Sequence, residues 1–238
     1  MVEKDVIIAL DFASTNEVKE FLQPFKGEPL YVKVGMELYY QTGPALLEWL
    51  KQENYRIFLD LKLHDIPNTV KKAMQGLATL GVDMVNVHAA GGISMMHAAK
   101  EGLEIGASGS HRPLCIAVTQ LTSTSKQVMN EEILLAGEVQ EIVRAYATHA
   151  KQAGLDGVVS SALEVPTIKE ACGQPFLTVT PGIRLLGDAT QDQKRVVTPD
   201  KACQLGSDFI VVGRSITQAK DPLARYREVK QLWEDNNQ

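Results

Sequence analysis

The chain is short of cysteine, of aromatic residues, of surplus positive charge and of long apolar runs, and most of these shortages remove a class of protein. Its three cysteines, Cys115, Cys172 and Cys203, are scattered without a Cys-x-x-Cys pair. That spacing argues against a disulfide framework and a structural zinc site, and suits reduced, mostly buried thiols in a cytoplasmic protein. Lys and Arg number 24 against 29 Asp and Glu, a net charge of −5, so no electrostatic footprint for nucleic acid is present. The basic pairs Lys71-Lys72 and Lys194-Arg195 read as solvated faces. No stretch approaches the ~20 apolar residues of a membrane span. The opening "MVEKDVIIALDF" is too short in its apolar part for a secretory leader. No linker or low-complexity segment interrupts the 238 residues, of which 45% are apolar; residues 1–238 are expected to form a single domain.

What is present is a repeated unit: a short β-branched run, then an amphipathic segment. The runs are Val6–Asp11, Leu30–Gly35, Arg56–Lys62, Met84–Ala89, Leu114–Leu121, Gly157–Ser161, Phe176–Thr180 and Phe209–Gly213. Their continuous apolar character suits parallel strands covered on both faces. Helical patterns fill the gaps. Ser14 is placed to cap a helix reaching about Phe25, Asn68 one that stops at Gly81, and Ser94 another. "EEILLAGEVQEIVRAYATHAKQAG" reads as one long helix ending at Gly154, and Asp221-Pro222 opens the last one. Eight β-then-α units predict a (β/α)8 TIM barrel. The open doubly wound sheet is disfavoured because no Gly-x-Gly-x-x-Gly follows the first run.

Barrel active sites gather where strands end, and charge collects there in this chain. The first run ends at Asp11, the second carries Lys33, and the third ends in "FLDLKLHD", with Asp60 and Lys62 two residues apart and Asp65 beyond. Residues two apart on a strand project together. Neighbouring strands therefore predict an alternating row of Asp11, Lys33, Asp60 and Lys62 across one rim. Alternation keeps every member ionised in a partly dry pocket. A lysine held as ammonium can donate a proton, and an ionised aspartate can repel a bound anion.

Thr180–Pro199, "TPGIRLLGDATQDQKRVVTP", has the composition of a mobile loop rather than a helix. The last run ends "VVGRS". Loops after the seventh and eighth strands commonly form a phosphate site in barrels. Arg184 and Arg214 supply bidentate forks, and Gly213 is expected to let the backbone approach the anion.

"DLKLHDIPNT", "TPGIR…GDATQDQKRV" and "VVGRSI" together resemble the bacterial orotidine 5'-monophosphate decarboxylases, over essentially the whole chain. Asp-x-Lys-x-x-Asp alone is shared with sugar-phosphate decarboxylases and aldolases on the same barrel, whereas the long loop carrying Arg184 and Gln193 sets this family apart. The resemblance implies decarboxylation of orotidine 5'-monophosphate to uridine 5'-monophosphate, the last step of de novo pyrimidine nucleotide biosynthesis, without cofactor or metal. It implies that Asp60 abuts the substrate carboxylate and that Lys62 protonates carbon six. Lys33 and Asp11 contact the ribose, Thr122 meets the pyrimidine edge, and Arg184, Gln193 and Arg214 hold the phosphate with backbone help from Gly213. Asp65 and Thr69 reach into the partner's site of a homodimer.

Two other readings stand beside it. His88, ending "VNVHA", is a candidate metal ligand in a sugar-phosphate epimerase or a magnesium-dependent decarboxylase, but Lys33 and Lys62 would repel a cation. A pocket-edge histidine is the simpler reading. A non-catalytic barrel that only binds a nucleotide leaves the Asp60/Lys62 pair unexplained.

Overall fold

The computed structural model describes residues 4–107, 112–188 and 196–235. In chain order the elements are β1 (Asp5–Ala9), α1 (Thr15–Leu22), β2 (Tyr31–Gly35), α2 (Met36–Thr42), α3 (Pro44–Gln52), β3 (Arg56–Leu63) and α4 (Pro67–Ala78). Then follow β4 (Met84–His88), α5 (Gly92–Ala107), β5 (Leu114–Val118), α6 (Val139–Gln152), β6 (Gly157–Val159) and α7 (Val165–Cys172). The last are β7 (Leu177–Thr180), α8 (Pro199–Gln204), β8 (Phe209–Val212), α9 (Arg214–Thr217) and α10 (Pro222–Glu234). All neighbouring strands are parallel, and β8 pairs with β1, so the sheet closes as a (β/α)8 barrel.

The unbroken apolar strands are explained by burial on both sides. Val6, Ile8 and Leu10 of the first strand and its exit pack outward among the helices, while Ile7 and Ala9 point inward. Tyr31, Phe58, Met84, Ile116, Leu177 and Phe209 complete the inner cluster, with Tyr31 and Phe209 meeting edge to face at 5.9 Å. This floor fills the barrel, so a ligand can enter only at the rim above it.

The opposite, amino-terminal end is tied by a device used three times. After α4, α6 and α8 come Gly81-Val82-Asp83, Gly154-Leu155-Asp156 and Gly206-Ser207-Asp208. Each glycine has a positive φ (67°, 81° and 91°), which turns the chain out of the helix. Each aspartate then accepts the backbone N–H at the start of the preceding odd-numbered strand: Ile57 at 2.7 Å, Cys115 at 2.7 Å and Thr178 at 2.8 Å. Lys100 and Arg112 neutralise Asp156, and Lys169 neutralises Asp208.

Helices α4 and α5 pack more closely than side chains normally allow. A Cβ on Gly102 would lie 2.2 Å from the Lys71 carbonyl oxygen, and one on Gly106 2.2 Å from that of Gln75. Among the described residues no helix is long and apolar enough to cross a membrane.

Several expected boundaries move. Ser14 does cap α1, accepting from Glu17 N–H, and Asp221 caps α10. Asn68 is no cap: Pro67, with φ already set for a helix, starts α4 two residues earlier than a cap at Asn68 would, after Ile66. Ser94 lies inside α5, which begins at Gly92. The long helix expected to end at Gly154 is broken. Leu134 and Gly137 have positive φ values of 63° and 120°, and α6 begins only after a Glu138/Glu141 capping box. Gly43, at φ 62°, divides α2 from α3. Most strands also stop short at their carboxyl ends. β1 ends at Ala9, β5 at Val118, β6 at Val159 and β8 at Val212. Some residues beyond still bond across the sheet, as Leu10 N–H to the Lys33 carbonyl at 2.9 Å and Thr119 N–H to that of Val159 at 3.1 Å, while Asp11, Gln120, Ser160 and Gly213 line the mouth.

Candidate active site

The expected charge row is present. Lys33 Nζ lies 3.2 Å from Asp11 Oδ1 and 3.4 Å from Asp60 Oδ2, and Lys62 Nζ lies 2.7 Å from Asp60 Oδ1. All four residues line one cavity at the carboxyl-terminal mouth, directly above Ala9, Phe58 and Val211 of the floor. The Asp60 side chain is only 11% exposed and that of Lys33 13%, so solvent screens this pair little. Burial pushes the Lys33 ammonium toward neutrality, but Asp60 and Asp11 outweigh it and hold its pKa above the usual lysine value. Burial likewise works against ionised Asp60, while Lys33, Lys62 and a hydrogen bond from Asn86 hold it below the usual aspartate range.

Asp60 and Lys62 meet, though not by simple strand alternation. β3 leaves register with β4 between Leu59 and Leu63, and Lys62 has φ 53°. A left-handed backbone is uncommon for a residue with a side chain and tends to occur at functional sites. Where the ladder is interrupted, Lys62 N–H donates to the Asn86 side chain at 2.8 Å. Asn86 Nδ2 in turn donates to Asp60 Oδ1 at 2.7 Å.

Thr122, Arg184, Gly213 and Arg214 line the same cavity. Arg184 is 8% exposed, and its guanidinium donates to the Ile183 carbonyl at 2.8 Å. Its backbone pairs with Val197, which brings the two ends of the loop after β7 together. Gln193 lies outside the described residues. Arg184 and Arg214 also border an adjoining pocket with Ser215, Lys220, Arg225 and Asp188, so this end of the mouth is strongly positive. At Gly213 an added Cβ would make ordinary contacts, 3.6 Å from both Ala9 Cβ and Asp11 Oδ2. It would fill cavity space rather than clash with backbone.

Asp65 and Thr69 do not line this cavity. Both are exposed, and Asp65 Oδ1 accepts from the adjacent Ile66 N–H. Sequence reasoning missed Gln120 and Ser160, which line the cavity, and Asn86 behind it. The signal for Asn86 was an amide in the middle of the apolar run "MVNVHA". His88 sits with its ring 5.8 Å from that of His64. Burial, His64 and Lys62 lower its pKa. Among the described residues no three of His, Cys, Asp and Glu are grouped to hold a metal ion.

A partly dry pocket lined by two lysines, two aspartates and two arginines suits a small anionic ligand on which charge changes during reaction. Known proteins with the same chain architecture are close. An orotidine 5'-phosphate decarboxylase of Bacillus cytotoxicus is 61% identical over 234 residues, covering 98% of each chain. One from Geobacillus sp. (strain WCH70) is 62% identical over 228 residues, covering 95% of each. Among solved structures, orotidine 5'-phosphate decarboxylase from Lactobacillus acidophilus superposes with a TM-score of 0.87 at 43% identity, covering 97% of this chain and 99% of that one. An uncharacterized conserved protein from Geobacillus kaustophilus gives 0.86 at 55% identity, covering 96% and 99%. The pattern of one family matches residues 4–229, and with these identities along nearly its whole length the chain belongs to the Orotidine 5'-phosphate decarboxylase / HUMPS family.

Proposed function

We propose that this chain is a carboxy-lyase that converts orotidine 5'-monophosphate to uridine 5'-monophosphate and carbon dioxide, the closing step of de novo pyrimidine nucleotide synthesis. The observation that carries the reading is the Asp11–Lys33–Asp60–Lys62 row inside the cavity. The names of relatives about 60% identical over nearly the full chain support it.

The bond that breaks joins carbon six of the pyrimidine to its carboxylate. The electron pair stays on carbon six, in the plane of the ring, where delocalisation is poor. In this mechanism Lys62 answers that charge directly: its ammonium faces carbon six and delivers a proton as carbon dioxide leaves. A cation about 3 Å from a full negative charge is attracted by roughly 5 kcal/mol at an effective dielectric near 20. Such preorganised electrostatics are usually the largest catalytic contribution. Asp60 serves twice. It fixes Lys62 at 2.7 Å and sets a like charge beside the substrate carboxylate, a repulsion relieved when carbon dioxide departs. Lys33 and Asp11 hold the ribose, Thr122 the pyrimidine edge, and Arg184, Arg214 and Gln193 the phosphate.

The working unit in this reading is a homodimer of single-domain chains. Asp65 and Thr69, exposed and outside their own cavity, complete the site of the partner. Ile66, 67% exposed beside Asp65, provides apolar surface for that contact. The three described thiols are free and buried, which suits a reducing compartment, and we place the enzyme in the cytoplasm.

The experiment is to follow the absorbance of orotidine 5'-monophosphate with wild-type protein and with Lys62→Ala. Loss of the substrate signal is expected with wild type, and a rate lower by about 10³-fold or more with the variant. A wild type that leaves the substrate intact, or a variant that matches it, would refute the proposal.

A further inference from the structure

Asn86 occupies the middle of β4, between Val85 and Val87, and is 1% exposed. A carboxamide there is costly unless both ends are bonded. Both are. Its Oδ1 accepts from the backbone N–H of Lys62 at 2.8 Å, and its Nδ2 donates to Asp60 Oδ1 at 2.7 Å. Only one orientation of the amide satisfies an N–H donor on one side and a carboxylate on the other.

We infer that Asn86 is a positioning residue for the decarboxylation, fixing the Asp60 carboxylate and the Lys62 backbone in one relation to each other. This inference rests on the function proposed above. Among the described residues, no other side chain bonded to Asp60 also bonds the backbone of Lys62.

The reason lies in the interrupted ladder. β3 slips relative to β4 between Leu59 and Leu63, and Lys62 adopts φ 53°. A lysine stays left-handed only where its surroundings over-determine it. The Asn86 carbonyl takes the N–H that regular pairing would have given to a strand carbonyl, and so holds the bulge open. The same side chain holds Asp60 from behind, while Lys62 Nζ takes the same Oδ1 at 2.7 Å. The lysine is thereby set at both ends: its amide by Asn86 and its ammonium by a carboxylate that Asn86 also holds. Proton delivery to a ring carbon needs that precision, since a misplacement of about 1 Å costs on the order of 100-fold in rate. Asn86 does not line the cavity, so its effect falls on the chemical step and not on binding.

The test compares wild type, Asn86→Ala and Asn86→Asp for kcat and KM with orotidine 5'-monophosphate, for affinity to uridine 5'-monophosphate, and for thermal melting. Asn86→Asp keeps the shape and the acceptor for Lys62 N–H, but sets a second anion against Asp60. In both variants kcat is expected to fall about 10- to 100-fold, the range for losing a hydrogen bond to a charged group. KM and product affinity should stay within about 3-fold. A folded variant with wild-type kcat would overturn the inference, as would a loss carried by KM. Failure of both variants to fold would make Asn86 a structural prop and overturn it equally. Wild type that releases no carbon dioxide is a separate result: it sinks the proposed function itself.

Discussion

Lys33 Nζ stands 3.4 Å from Asp60 Oδ2, and each holds the other in its charged form against burial. Asp60 is depressed, so its contribution to stability is present above the unfolded value of about 3.9 and is lost as pH falls through the folded value. Lys33 is raised, so its contribution is present below about 10.4 and is lost as pH rises through its folded value. Between these edges the pair adds no slope to stability. Lys33→Met removes the stronger charge acting on Asp60, and the Asp60 carboxyl pKa, followed by carbon-13 NMR, should move upward. An unmoved titration would mean that Lys62 and Asn86 alone hold the carboxylate ionised.

The proposed crossing of Asp65 into a neighbouring site predicts complementation. Asp65→Ala and Lys62→Ala homodimers should each be strongly impaired. After mixing and subunit exchange, one site of each heterodimer regains both residues. Roughly a quarter of wild-type activity should then return, because half the dimers carry one intact site of two. Sedimentation at the same concentrations tests the dimer itself, and recovery of no activity from exchanged dimers would place Asp65 in its own chain's site or in none.

Arg214 lines the cavity and in the proposed pose holds the phosphate rather than the reacting carbon, yet Arg214→Ala should lower the single-turnover rate as well as affinity. Binding energy at a remote phosphate is used to hold the reacting centre in place. A loss of about 10- to 100-fold in single-turnover rate is expected. If only KM changes, the phosphate contact is uniform binding.

Gly106→Ala examines the scaffold apart from the site. Its Cβ would come 2.2 Å from the Gln75 carbonyl oxygen, so α4 and α5 must separate. Overpacking of this kind costs about 1–3 kcal/mol, a fall in melting temperature of roughly 2–12 °C for a chain of this size. Affinity for uridine 5'-monophosphate should stay close to wild type, because neither helix lines the cavity of its own chain and Thr69, proposed to reach the partner's site, lies at the other end of α4 from Gln75. A variant as stable as wild type would show that the two helices yield more easily than their spacing implies.

Much of this architecture could be read from residue order. Eight apolar runs separated by amphipathic segments leave few alternatives to a closed parallel sheet, because strands buried on both faces need helices outside and a filled floor within. The charge row was legible for the same reason. Asp11, Lys33, Asp60 and Lys62 come at the ends of consecutive runs, and consecutive parallel strands are neighbours. Positions governed by local competition were not legible. Pro67 overrode Asn68 as the start of α4, and positive φ values at Leu134 and Gly137 broke a helix that composition alone would have continued.

The order of residues by itself determined the barrel and the set of charges at its mouth, since burial on two faces and strand adjacency follow from pattern. Only tertiary structure decided how Lys62 reaches Asp60. The slip of β3 against β4 and the left-handed lysine depend on the buried Asn86 amide, a partner 24 residues away. No local preference encodes that contact, because left-handed backbone is unfavourable for lysine and persists only where the surrounding structure holds it, here with the Asn86 side chain accepting its N–H.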